Sequence, residues 1–149
     1  VLTATQILEQ INQVLGILQI FLVGIAAISL IVGAIGIMNS MYTSVLERTK
    51  DIGVMKSIGA RNSDILKIFL IESGLIGLVG GILGVFLGTL MAVLIGTFSK
   101  NAGFLLIIKI EPLVLLFGLL FAFFVGVISG ILPAVQASKL KPVDAFRYE

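Results

Sequence analysis

Three long apolar stretches contain no Asp, Glu, Lys or Arg, and they restrict the fold of this sequence more than any other feature. They lie between Glu9 and Glu47, between Glu72 and Lys100, and between Glu111 and Lys139. Each stretch exceeds the roughly 20 residues that a helix needs to cross about 30 Å of hydrocarbon. The sequence therefore predicts an all-α integral membrane protein with three transmembrane helices, at residues 18–41, 74–98 and 112–132.

The last predicted span has its own start and stop signals. Pro112 suits the first turn of a helix, where a missing N–H is not needed. Pro133 cannot donate a helical hydrogen bond, so we expect the helix to end at about Leu132.

The composition excludes most enzyme classes. Of the 149 residues, 58% are hydrophobic and 12% are charged, and there is no Cys and no His. A thiol nucleophile, an imidazole base and a soft-metal site are therefore ruled out in this chain. The glycines are not followed by the Gly-Lys-Ser/Thr of a phosphate loop, so we expect no nucleotide, cofactor or metal site.

The distribution of Lys and Arg predicts how the chain is oriented. Basic residues are concentrated in the connection 43–72 and in the tail 133–149, whereas the connection 99–111 has two and residues 1–17 have none. The positive-inside rule places the two basic segments in the cytoplasm. We therefore expect a multi-pass protein of the inner (cytoplasmic) cell membrane, with its N-terminus and the 99–111 loop outside and its C-terminus in the cytoplasm.

Small residues spaced four apart predict where the spanning helices pack, because helices in lipid associate through close contact at such residues. We expect a small-residue stripe on the second span to meet a stripe on the third. The expected packing residues are Gly77, Gly80, Gly81, Gly84 and Gly88 on the second span and Ala122, Gly126 and Gly130 on the third. Since glycine is common in membrane helices, stripes without any contact are the alternative.

Apolar residues before the first span recur at alternating spacings of three and four among polar ones. The repeat includes Leu8, Ile11, Leu15 and Leu18. This heptad pattern is typical of a helix that pairs with another helix, so we predict an extracytoplasmic stalk at 1–17 that pairs across a dimer. An amphipathic helix lying on the membrane surface is the alternative.

The connection 43–72 is too regular for a slack loop. Its apolar residues Ile52, Met55 and Ile58 recur at threes and predict a short amphipathic helix. Gly59 follows where the end of a helix favours a residue that tolerates positive φ. Asn62, Ser63 and Asp64 are typical N-cap residues, and we expect the helix that they begin to continue into the second span.

A helix this short cannot bury its apolar face alone. The residues leave two ways to cover it. The helix lies on lipid headgroups, or a cytoplasmic protein receives it in a groove.

Several segments resemble the signature of FtsX-like permeases, and the nearest resemblance is to MacB-type ABC transporters. They are GAIGIMNSM at 33–41, SVLERTKDIG at 44–53, KSIGA at 56–60 and, at the C-terminal end, LPA, ASKL, PVDA and RYE between 132 and 149. In that family the permease has four spanning helices with a large extracytoplasmic domain between the first and the second. The resemblance implies that this chain corresponds to the last three helices, without the first helix and the outer domain.

The resemblance also implies partners and a mechanism. Two permease chains are expected to pair with two cytoplasmic ATPases, which bind ATP and Mg²⁺, and the permease passes ATPase movements across the membrane. In the expected ATPase contact, Ile52, Met55 and Ile58 form the buried apolar face. Arg48, Lys50 and Lys56 form its charged rim. The expected contact residues are Glu47, Arg48, Thr49, Lys50, Asp51, Ile52, Gly53, Met55, Lys56, Ile58, Gly59 and Ala60.

Two other functions remain open from the sequence. One is a membrane scaffold or regulator of the FtsX cell-division kind, which recruits an ATPase without transporting a substrate. The other is a fragment of a secondary transporter or channel, which the lack of ionisable residues in the spans makes less favourable.

Overall fold

The computed structural model describes residues 3–101 and 111–140. Within them the backbone forms helices and no strand: α1 (Ala4–Glu47), α2 (Thr49–Ser57), α3 (Asn62–Asn101) and α4 (Pro112–Lys139). In this described part, α1, α3 and α4 are each long and apolar enough to cross a membrane. The predicted all-α membrane fold, with three candidate spans and a short helix between the first two, is confirmed.

The long helices extend beyond the predicted spans. The helix α1 runs without a break through the predicted stalk and the first span, and α3 begins at Asn62, well before residue 74. Most of the predicted loop 99–111 and of the tail 133–149 lies outside the described residues.

The expectation that the third helix ends at Leu132 is wrong, because α4 continues through Pro133 to Lys139. Pro133 removes one backbone hydrogen bond, but it is itself fully buried. Ala134, Ala137 and Ser138 after it are also buried. Tertiary packing of this last stretch therefore compensates for the bond that the proline cannot make.

The chain divides into two compact units, residues 1–35 and residues 36–149. The first unit contains the N-terminal part of α1, whose large apolar side chains are exposed. The second unit contains the C-terminal end of α1 together with α2, α3 and α4.

The helices α3 and α4 pack through small residues. A Cβ added to Gly126 would lie 2.5 Å from the carbonyl oxygen of Ser73 and 3.0 Å from the Cα of Gly77. A Cβ added to Gly81 would lie 2.6 Å from the Cβ of Ala122, and Gly130 lies against the Ser73 side chain. The two backbones therefore approach as closely as glycine allows.

Only part of the predicted glycine stripe takes part in this contact. A Cβ added to Gly80, Gly84 or Gly88 would meet nothing within 4 Å. Gly80 lies about 60° around the helix from Gly77 at 100° per residue, whereas Gly84 and Gly88 lie on the same face farther along α3. The close approach between the two helices thus ends near Gly81.

A cluster of buried apolar side chains, here called the junction core, joins the ends of all the helices in the second unit. Its members are Met41 and Val45 of α1, Ile52 of α2, Ile65 and Phe69 of α3, and Ala134 and Ala137 of α4. The sequence predicts that these ends face the cytoplasm. The junction core is therefore the place where α2 is joined to the spanning helices.

A tight turn at Gly59 separates α2 from α3. The N–H of Gly59 donates to the carbonyl oxygen of Lys56 and the N–H of Ala60 donates to that of Met55, both at 3.0 Å. This pair of bonds is a Schellman motif, and it requires the positive φ of 103° that Gly59 adopts. The predicted role of Gly59 at the end of the helix is confirmed.

The start of α3 is also capped by a side chain. The carboxylate of Asp64 accepts a hydrogen bond from the backbone N–H of Arg61 at 3.1 Å. Among the expected capping residues, Asp64 therefore acts from within the first turn, and Arg61 occupies the position before the helix.

Candidate coupling segment

Side-chain contacts of Arg48 and Thr49 connect the start of α2 to α1 and α3. The Thr49 hydroxyl donates to the backbone carbonyl oxygens of Val45 and Leu46, at 2.9 Å in both cases. The Arg48 guanidinium lies 3.4 Å from a carboxylate oxygen of Glu72 on α3. The ion pair is partly exposed, with Arg48 56% and Glu72 29% exposed, so it adds little stability, but it links the connection between α1 and α2 to α3.

The inner face of α2 is covered by the chain itself. Ile52 has 0% of its surface exposed, Gly53 is also buried, and Met55 is half-buried against the junction core. The expectation that Ile52 offers an apolar surface to an ATPase does not fit this structure. The ends of α1, α3 and α4 already provide the cover that a nine-residue helix needs.

Lys56 does not lie on an open charged rim either. Its side chain is half-buried, and its Nζ donates to the carbonyl oxygens of Ser138 at 2.5 Å and of Leu140 at 2.6 Å. Ser138 lies in the last turn of α4, and Leu140 is the residue that caps its C-terminal end. Lys56 therefore faces α4 and not the surroundings of the protein.

The opposite side of α2 is open, and we call it the outer face. It consists of the exposed residues Lys50, Asp51, Val54, Ser57 and Ile58. The apolar side chains stand out, with Val54 47% exposed and Ile58 82% exposed. At 100° per residue these positions fall within about 120° of one another around the helix axis, with Ile58 at the C-cap, so they share one side of the helix. The outer face thus combines two apolar side chains with one basic and one acidic group.

Val54 is the residue that sequence reasoning misses. The repeat of Ile52, Met55 and Ile58 directs attention to the side of α2 that packs inward. The signal that could have found Val54 is the four-residue spacing of Lys50, Val54 and Ile58.

Comparison with known proteins gives the family. A model of the FtsX-like permease C-terminal family matches residues 23–142, which include all of the junction core and the whole of the connection 43–72, here called the coupling segment. This chain belongs to the FtsX-like permease family.

Its relatives are longer proteins. The chain is 49% identical over its full length to an uncharacterized ABC transporter permease of Methanocaldococcus jannaschii, of which it spans 38%. It is 45% identical to the macrolide export ATP-binding/permease protein MacB of Bdellovibrio bacteriovorus, of which it spans 22%. It is 43% identical over 96% of its length to MacB of Escherichia coli K12, of which it again spans 22%. The chain therefore corresponds to well under half of each of these relatives.

The remaining predicted contact residues of this FtsX-like chain surround the outer face. Glu47, Arg48 and Gly59 are exposed, whereas Thr49 and Ala60 are half-buried. Leu46, at the last turn of α1, adds a further apolar side chain that is 74% exposed. The exposed surface therefore extends from the outer face to the end of α1.

The predicted stalk residues lie in the other compact unit. Leu8, Ile11, Leu15 and Leu18 are all exposed on α1.

Across residues 3–101 and 111–140, there is no cluster of three or more His, Cys, Asp or Glu side chains that could hold a metal ion.

Proposed function

We propose that this chain is part of the permease subunit of an ATP-driven ABC transporter of the MacB/FtsX type. In this proposal it transmits the movements of a cytoplasmic ATPase across the membrane for the export or extraction of a substrate. Two permease chains and two ATPases assemble, and ATP and Mg²⁺ bind to the ATPases. The N-terminus lies outside the membrane and the C-terminus lies in the cytoplasm.

The position of α2 carries the proposal. Its inner face is part of the junction core, together with the ends of the three candidate spanning helices. Because a close-packed core transmits displacement, a push on α2 would reach all three helices. A headgroup-bound helix that was not packed on these ends would lack such a connection.

The composition of the outer face favours a protein partner over lipid. Lys50 and Asp51 cancel in charge, so the outer face has no net attraction for anionic headgroups. Its apolar part consists only of Val54 and Ile58, which is a small area for membrane binding. Two apolar side chains with a charged rim fit the groove of a folded partner.

A substitution of Ile58 tests this contact. Ile58→Asp in the intact permease should weaken ATPase binding at least about tenfold, because burial of an isoleucine contributes about 1.5–3 kcal/mol. Its side chain is exposed, so membrane insertion and folding should not change. We would measure co-purification with the ATPase encoded beside the gene, together with ATP hydrolysis.

Asn62→Asp is the matched control, because it adds the same charge at an exposed position at the start of α3. It should leave binding unchanged. Equal binding by the parent and Ile58→Asp would contradict the outer face as the contact, and a parent that binds no ATPase would contradict the proposed function. Substrate export by the assembled complex would separate a transporter from a scaffold that only recruits the ATPase.

A further inference from the structure

We infer that Lys56 is a positioning residue that fastens α2 to the C-terminal end of α4, so that movement of α2 passes mainly into the pair formed by α3 and α4. The link itself is a property of this chain. Its consequence for coupling depends on the proposed function.

The first observation is the bonding of the ammonium group. The two carbonyl oxygens that accept from Lys56 are 82 and 84 residues away in the sequence. Ser138 is buried, and Leu140 is half-buried beside the junction core. Charge-assisted hydrogen bonds with partial burial are stronger than solvent-exposed ones, so this contact favours a position of α2 close to the end of α4.

The second observation is the environment that α4 offers. The last carbonyl groups of a helix have no partner within the helix, and they lie at the negative end of its dipole. The Leu140 N–H donates back to Ala137 at 3.3 Å, which closes the helix but leaves the Ser138 and Leu140 carbonyl oxygens for Lys56. The positive charge of Lys56 suits the negative end of the helix dipole, and its ammonium group can donate to both carbonyl oxygens.

The third observation is that α2 has no comparable polar link in the described residues. The side-chain hydrogen bonds of Thr49 and Ser57 reach only three or four residues back along the chain. Arg48 lies just before α2 and not within it, and its ion pair with Glu72 of α3 is partly exposed. Among the side chains of α2, Lys56 is therefore the one whose described hydrogen bonds reach a distant helix, at the C-terminal end of α4.

Close packing of α4 against α3 would pass movement of α4 on to α3. Gly126 and Gly77 bring the two backbones into direct contact, and Gly130 lies against Ser73. Such a contact leaves no room for one helix to slide freely past the other. A displacement of the end of α4 would therefore carry α3 with it.

The first arm of the test uses the intact permease without any ATPase. Spin labels at Ser57→Cys and Lys139→Cys, both exposed positions, report the distance between α2 and the end of α4 by double electron–electron resonance. The distance distribution should broaden or shift in Lys56→Met, which keeps the length of the side chain but loses the charge. Lys56→Arg should restore the parent distribution. Lys67→Met, an exposed lysine of α3, is the matched control and should change nothing.

The second arm adds the ATPase. Because Lys56 faces α4 and not the outer face, Lys56→Met should bind the ATPase as the parent does. The ATP-driven change at a single label on position 139, measured between the two permease copies, should fall about fivefold or more, and Lys56→Arg should recover it.

The outcomes separate the two proposals. An unchanged distance distribution in Lys56→Met overturns the link. An equal ATP-driven response in Lys56→Met and the parent, including no response in either, overturns its role in transmission. If the parent fails to bind an ATPase, the proposed function fails, whereas the first arm still decides whether Lys56 holds α2 to α4.

Discussion

Ile52, within α2, and Ile58, the residue that follows its last turn, are at opposite extremes of exposure, 0% and 82%. A step of three residues turns an α-helix by 300°, so each step in the series Ile52, Met55 and Ile58 falls about 60° short of a full turn. After two steps the side chain points about 120° away from where the series began. The helix also ends at Ser57, which leaves Ile58 at the turn. Residues spaced three apart therefore begin on the inner side of α2 at Ile52 and reach its outer face at Ile58.

Glycine is needed at Gly126 and not at Gly84, although both lie in predicted small-residue stripes. Gly126→Ala should destabilise the permease by about 1–3 kcal/mol, because the added methyl group would overlap the backbone of α3. Gly84→Ala should be neutral or stabilising by up to about 1 kcal/mol, since its Cβ would occupy open space and alanine favours the helix.

Both variants can be compared by unfolding the intact permease in mixed micelles with increasing dodecyl sulfate. The paired design removes the effect of helix propensity, which is the same in both. Equal losses of stability at the two positions would contradict a close contact between α3 and α4 at Gly126.

At the scale of the element, α4 illustrates how packing overrides a local signal. A proline inside a helix costs about 3 kcal/mol or more in an isolated context. The seven helical residues from Pro133 to Lys139 nevertheless supply two members of the junction core, Ala134 and Ala137, and one carbonyl group that binds Lys56. The helix continues because the buried contacts of its last turns offset the missing hydrogen bond.

The N-terminal part of α1 presents the seam of Leu8, Ile11 and Leu15 as exposed apolar side chains. If this seam pairs two permease copies around a two-fold axis, single cysteines at these positions should cross-link to the same residue of the second copy. Because the chain itself contains no cysteine, each cross-link within it can be assigned to one position. We would measure the dimer band on non-reducing gels after mild oxidation.

Gln10→Cys, at an exposed position between the seam residues, is the control for random collision. It should cross-link much less than the seam positions. No cross-link at any of the three seam positions in a permease that is otherwise dimeric would place the pairing surface elsewhere.

At the scale of the whole molecule, the basic residues predict which ends of the helices face the cytoplasm. Cysteines at Ser57 and at Glu111, both exposed, lie in segments predicted on opposite sides. In intact cells, a membrane-impermeant thiol reagent should label Glu111→Cys and spare Ser57→Cys. After the cells are opened, both positions should react.

The reverse labelling pattern would place α2 outside the cell, which is incompatible with contact to a cytoplasmic ATPase. Labelling of both positions in intact cells would indicate that the chain does not span the membrane as expected. This measurement therefore tests the proposed function independently of any binding partner.

The sequence by itself determined the features that depend on neighbouring residues. Charge-free runs predict the three long helices, because a helix in lipid must be apolar over its whole crossing. Gly59 marks the end of α2 because a positive φ is a local requirement of the turn. The motifs around the coupling segment indicate the family for the same reason, since they can be recognised along one continuous stretch.

Only the tertiary structure decided which of these residues meet. It placed Ile52 in the junction core, left Val54 open, and bonded Lys56 to carbonyl groups more than 80 residues away. It also selected Gly77 and Gly81, and not Gly84, for contact with α4. Periodicity gives the face of a helix only relative to its own axis. Which neighbour covers that face depends on how distant segments pack, and that information lies in no single stretch of the chain.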